Sequence, residues 1–121
     1  MFKEPLEAII ERTDGAIGAL IMGTDGIAVE KVLGEEGDET NMDVAAAEFT
    51  SLIRNAQRTG TDVGLGALNE LVLSYESASF IMRLFNRDYF VVLVLKSECN
   101  LGRGRFELRK AELQLAREFA V

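Results

Sequence analysis

Histidine and tryptophan are absent from this 121-residue sequence, and cysteine and proline occur once each. The missing histidine removes Ser-His-Asp and Cys-His catalysis and every histidine-containing zinc site. With Cys99 as the single cysteine there is no internal disulfide and no thiolate cage for a metal, and a lone thiol fits a reducing cytosol. Its plain reading is a small, half-buried residue at a strand end. Paired carboxylates of the glycosidase kind need a cleft with a stacking surface, for which a chain without tryptophan gives weak support. Gly64-Leu-Gly66-Ala-Leu-Asn69 lacks the third glycine of a dinucleotide fingerprint and leads into a strand, so it reads as a turn. The acidic stretch Glu35-Glu36-Gly37-Asp38-Glu39 lacks the alternating oxygen ligands and terminal glutamate of an EF-hand and reads as a solvated loop. No catalytic, cofactor-binding or metal-binding residue is expected.

Basic charge is also in short supply. Thirteen Lys and Arg face twenty Asp and Glu, for a net charge of -7 and a pI near 4.6. Such a surface repels phosphates and anionic headgroups, so nucleic acid is not an expected partner. The basic run from Leu101 to Lys110 is interrupted by Glu107 and reads as a solvated helix face. The apolar runs fall short of the roughly 20 residues that span a bilayer, and Met1-Phe-Lys-Glu-Pro5 does not open a leader of the secretory kind. A cytoplasmic protein without membrane insertion is expected.

What the chain does have is 48% hydrophobic and 27% charged residues, the balance of one globular domain over residues 1–121. Residues 5–13 carry Leu6, Ile9 and Ile10 on one helical face, with Pro5 suited to the first turn. Ala16 to Met22 is apolar on both alternating faces, as in a central strand. Asp25-Gly26 then marks a hairpin into a second strand, Ile27 to Leu33, followed by a loop over residues 34–40. The longest helix is predicted from Asp43 to about Thr59, capped by Asn41 or Asp43 and stopped by Gly60. At 100° per residue Ala45, Phe49, Leu52 and Ala56, with Ile53 beside them, form the stripe expected to face the sheet. The mild residues Val44 and Ala46 flank it, so this helix is fitted for two contacts. Residues 67–76 predict an edge strand, Phe80 to Phe85 the next, and Tyr89 to Leu95 a second central strand. A final helix from Leu101 to Phe119 presents Leu101, Leu108, Leu115 and Phe119, with Ala111 and Ala116 allowing close approach. The expected fold is α+β: a five-stranded antiparallel sheet with helices on both faces, in the order α-β-β-α-β-β-β-α.

Two segments set in this order, Gly18-Ala-Leu-Ile-Met-Gly-Thr-Asp-Gly-Ile-Ala-Val29 and Asn100-Leu-Gly-Arg-Gly-Arg-Phe-Glu-Leu-Arg-Lys-Ala111, resemble the roadblock/dynein light chain family, with its bacterial stand-alone members nearest. The likeness runs from about residue 4 to residue 119. It implies a twofold dimer in which the long middle helices pack together and the third strands join edge to edge, with Val44, Ala46, Ile53, Gln57, Leu71, Leu73 and Tyr75 as interface candidates. It also implies a homodimeric regulator, activating protein or scaffold, that binds a Ras-like small GTPase across the paired helices. Ala47, Thr50, Ser51, Arg54 and Arg58 are the contact candidates on that outer face. An arginine delivered in trans can speed GTP hydrolysis. Arg54 and Arg58 are nonetheless read as solvated or interface charges.

Two other function classes remain open at the level of sequence. One is a structural adaptor whose binding ignores nucleotide state. The other is a ligand-sensing module of the PAS or profilin-like kind, disfavoured by central strands that leave no polar interior.

Overall fold

A computed structural model describes residues 2–34 and 39–119. Its elements are α1 (Lys3–Glu11), β1 (Ala16–Gly23), β2 (Ala28–Leu33), α2 (Glu39–Asp62), β3 (Glu70–Ser74), β4 (Ala78–Leu84), β5 (Tyr89–Lys96) and α3 (Leu101–Phe119). The strands form one antiparallel sheet in the order β2-β1-β5-β4-β3. The two most apolar strands, β1 and β5, lie side by side in its interior, and the mixed strands β2 and β3 form its edges. This is the expected class and order of elements.

Alternation along the strands divides the core in two. Ala19, Ile21, Ile81, Val91, Leu93 and Leu95 point to one face, where they meet Leu6 and Ile9 of α1 and Leu108 and Leu115 of α3. Leu20, Met22, Met82, Phe90, Val92 and Val94 point to the other, where α2 lies. Gly104 lets α3 sit close to the sheet: a Cβ there would stand 3.0 Å from Ile81 Cδ1 and 3.1 Å from methyls of Leu93 and Leu95. Asn100 caps α3, its Oδ1 accepting from the Arg103 N–H at 3.0 Å. Polar side chains also set the turns. Asn86 Oδ1 accepts from the Asp88 and Tyr89 N–H groups, reversing the chain between β4 and β5. The Asp25-Gly26 turn closes with the Gly23 N–H donating to Ile27 O at 2.9 Å.

Several local expectations are corrected. Helix α1 begins at Lys3 and ends at Glu11, two residues earlier at each end than the apolar spacing suggested. Helix α2 begins at Glu39, so Asn41 and Asp43 are inside it and neither is its N-cap. Of the loop expected over residues 34–40, residues 35–38 lie outside the described residues. The helix also runs through Gly60 to Asp62. There the chain folds back, with Leu65 and Gly66 N–H groups donating to Gly60 O at 2.8 and 3.2 Å. A Cβ on Gly60 would meet Gly66 O at 2.5 Å, so the residue expected to break the helix instead admits the returning loop. Strand β3 is shorter than the expected 67–76, being confined to five residues.

The inward stripe of α2 is also displaced. Met42, Ala46, Phe49 and Ile53 are buried, whereas Leu52 is 46% exposed and Ala45 and Ala56 are half-buried. Because α2 starts at Glu39, Met42 is helical and shares a face with Ala46, Phe49 and Ile53. Met42 takes the buried place expected for Leu52, and each large side chain fully buried on this face is worth roughly 1.5–3 kcal/mol.

Candidate functional site

The two flanks of α2 differ in kind. On the flank toward β2 the helix is tied to its surroundings by polar contacts. Lys31 Nζ of β2 stands 2.6 Å from Asp43 Oδ2. Further along, Arg54 Nη1 donates to Thr24 O at 2.5 Å and Gln57 Nε2 to Arg87 O at 3.2 Å. The helix thereby bridges the β1-β2 and β4-β5 turns.

On the other flank stand Ala45, Leu52 and Ala56, small or apolar and incompletely covered. Phe49 marks the same side: its ring packs edge-on to Phe80 with centroids 5.0 Å apart and stacks near Tyr75 at 6.3 Å. Leu71 and Leu73 of β3 are half-buried beneath this flank, and Tyr75, just past the strand, is 53% exposed. Beyond β3 the sheet has no further strand among the described residues. An uncovered helix flank therefore runs beside an unpaired strand edge.

The opposite face of β3 is held by charge. Glu70 lies 3.6 Å from Arg83 Nη1 and 2.7 Å from Arg105 Nε, and Arg83 Nε also meets Glu112 Oε1 at 2.5 Å. These bonds link β3 and β4 to α3, so the edge strand is fixed in place before any partner arrives. Glu70 and Arg83 are mostly shielded from solvent, which strengthens charge-assisted hydrogen bonds.

The expected contact residues divide accordingly. Ala47, Ser51 and Arg58 are exposed on the outward face of α2, joined there by Val44 at 58% exposure. Thr50 is not available: it is 4% exposed and its hydroxyl donates to Ala47 O at 2.7 Å. Arg54 is exposed but its guanidinium is engaged at Thr24 O. Among the expected self-association residues, Ala46 and Ile53 are fully buried in the chain's own core. Gln57 belongs to the tied flank, while Leu71, Leu73 and Tyr75 do line the uncovered one. Sequence reasoning assigned Ala45, Leu52 and Ala56 to the core. Placing the helix start before Met42 would have exposed them.

The uncovered flank of α2 and the unpaired edge of β3 together offer a surface for association. No group of three or more His, Cys, Asp or Glu among the described residues is arranged to hold a metal ion. Gly23, Thr24, Asp25, Asp88 and Tyr89 line a shallow open cleft at the turn end of the sheet. No helix among the described residues is long and apolar enough to cross a membrane.

No family model matches the sequence. The chain is 29% identical over 103 residues to the uncharacterized protein MJ0714 of Methanocaldococcus jannaschii, covering 84% of this chain and 83% of the relative. Among solved structures, MglC from Myxococcus xanthus is 30% identical with a TM-score of 0.74, and the match covers 98% of each chain. A Roadblock/LC7 domain from Streptomyces avermitilis superposes with a TM-score of 0.83 at 13% identity, over 98% of this chain and 97% of that one. The gliding protein MglB from Thermus thermophilus gives 0.83 at 22% identity, over 95% and 85%. The last two likenesses are likenesses of fold.

Proposed function

Since the chain belongs to the Roadblock/LC7 family, we propose that it works as a homodimer that binds a Ras-like small GTPase and regulates it. The observation that carries the proposal is the unpaired edge β3 beside the uncovered flank of α2. A second copy related by a twofold axis supplies the same two features in reverse. Strand β3 then pairs with its counterpart, and Ala45, Leu52 and Ala56 pack against the same residues of the other α2. An isologous contact of this kind removes the edge that would otherwise invite uncontrolled pairing.

In such a dimer the outward faces of the two α2 helices form one continuous platform. Val44, Ala47, Ser51 and Arg58 line it, and their mostly small side chains admit a partner backbone closely. Arg54 is held at the Thr24 carbonyl, which favours regulation through the GTPase's own switch residues over an arginine inserted into its site.

The test has two parts. Light scattering at micromolar concentration is expected to give twice the chain mass for the wild type and a monomer for Leu52→Glu. A monomeric wild type would overturn the dimer. The Ras-like GTPase encoded nearest this gene is then loaded with GDP or a GTP analogue. Preferential binding of one state with altered GTP hydrolysis supports a regulator. Equal binding of both states would assign the chain to the adaptor class instead.

A further inference from the structure

The outer face of α3 lies across the sheet from α2 and takes no part in the function proposed above. At 100° per residue, Arg103, Phe106, Arg109, Lys110, Leu113 and Arg117 fall within an arc of roughly 120°, and all six are exposed. The arc contains no carboxylate. The three acids of this helix point elsewhere: Glu107 is buried with Oε2 2.9 Å from Arg103 Nη2, Glu112 is engaged by Arg83, and Glu118 is half-buried. On a chain with a net charge of -7, this is a local concentration of exposed cations, of which Arg103 is engaged by Glu107 and by Arg12 O, 3.2 Å from its Nε. No ion pair is found for Arg109, Lys110 or Arg117 among the described residues.

Two large apolar side chains stand among these cations. Phe106 is 54% exposed and Leu113 is 70% exposed. They are seven residues apart, so they repeat after two helical turns, at about 10.5 Å. Arg103 Cζ and Lys110 Nζ flank the Phe106 ring at 5.5 and 6.0 Å from its centroid, holding it between charges. A two-turn apolar repeat bordered by like charges is the pattern by which one amphipathic helix receives another.

We propose that this face is a docking surface for an acidic amphipathic helix of another protein. The partner's apolar residues seat on Phe106 and Leu113, and its carboxylates meet Arg109, Lys110 and Arg117. The neighbouring helix decides against a flat anionic surface. Helix α1 packs beside α3 in the same layer and exposes Glu4, Glu7 and Glu11, which a membrane or a nucleic-acid duplex lying on α3 would also approach. A single helix is narrow enough, at about 10–12 Å, to follow the basic arc alone.

The test uses the full chain and a fluorescein-labelled peptide of about three heptads, with leucine at the a and d positions and glutamate at most others. Saturable binding by fluorescence anisotropy is expected, weakening at least about tenfold when salt rises from about 50 to about 500 mM. Replacing the peptide's glutamates with glutamine is expected to weaken it at least about tenfold. So is the double variant Phe106→Ala, Leu113→Ala, and so is the triple variant Arg109→Gln, Lys110→Gln, Arg117→Gln. All five positions are exposed, and circular dichroism verifies that these variants fold. Leu52→Glu is expected to leave peptide binding unchanged, which separates this result from that of the dimer test. No binding, equal binding of the two peptides, or undiminished binding by the variants would overturn the proposal. Binding to phosphatidylserine vesicles without binding to the peptide would overturn it in favour of a lipid surface.

Discussion

Lys31 Nζ and Asp43 Oδ2 stand 2.6 Å apart, joining the edge strand β2 to the early turns of α2. The pair is partly shielded, with side chains 21% and 37% exposed, and it spans the polar flank of the long helix and the sheet edge. The azimuth of α2 over the sheet decides which of its residues are free to meet a partner. A double-mutant cycle of Lys31→Ala and Asp43→Ala is expected to give a coupling of about 0.5–1 kcal/mol in denaturant unfolding, toward the upper end for an exposed pair. A coupling near zero would show that the apolar contacts of α2 suffice to orient it.

The orientation itself is tested by neighbouring residues. Ile53→Ala is expected to destabilise the fold by about 2–5 kcal/mol, because it empties a fully enclosed site. Leu52→Ala, one residue away, is expected to change the folding of the isolated chain by no more than about 0.5 kcal/mol. If the two effects were reversed, the helix would face the sheet along the stripe that its sequence suggested.

Arg83 joins Glu70 and Glu112, so Arg83→Ala leaves Glu112 without its short ion pair and Glu70 with Arg105 alone. A loss of about 1–3 kcal/mol is expected, as for hydrogen bonds to charged groups with restricted solvent access. Amide hydrogen exchange is expected to quicken first in β3, the strand these bonds secure. Uniform acceleration over the whole sheet would mean that β3 has no separate opening.

Gly104 is crowded by methyl groups at the ends of flexible side chains. In Gly104→Ala the better helix propensity of alanine, about 1 kcal/mol, offsets the cost of moving those methyls, and thermal unfolding is expected to stay close to the wild type. Gly104→Leu exceeds the space available and is expected to cost about 1–3 kcal/mol or more. A strongly destabilised alanine variant would show that Ile81, Leu93 and Leu95 cannot yield.

Much of this architecture is legible along the chain. The unbroken apolarity of residues 16–22 and 89–95 marks two interior strands, and both occupy the middle of the sheet. Asp25-Gly26 and Asn86-Arg87-Asp88 announce their turns, because each needs a side chain that bonds the local backbone or a residue free to turn it. The edge position of β3 is legible in its polar residues. The candidate site is less so. Thr50 reads as an outward residue from its position on the helix, yet it is buried beside Gly26 of the β1-β2 turn. Ala46 reads as a flank, and Ile53 as the margin of the inward stripe; both prove to be fully buried core.

By itself the sequence determined which segments become helix and which strand, their order, and which strands must be covered on both faces. Those properties depend on residues a few positions apart, through alternation, helical periodicity and turn chemistry. Tertiary structure alone decided the rotation of α2, and with it the freedom of Leu52 and the enclosure of Ala46. It also decided the joining of Glu70, Arg83, Arg105 and Glu112. A helix has several faces of similar hydrophobicity, and the one that turns inward is chosen by the volume it fills against a sheet assembled from distant parts of the chain.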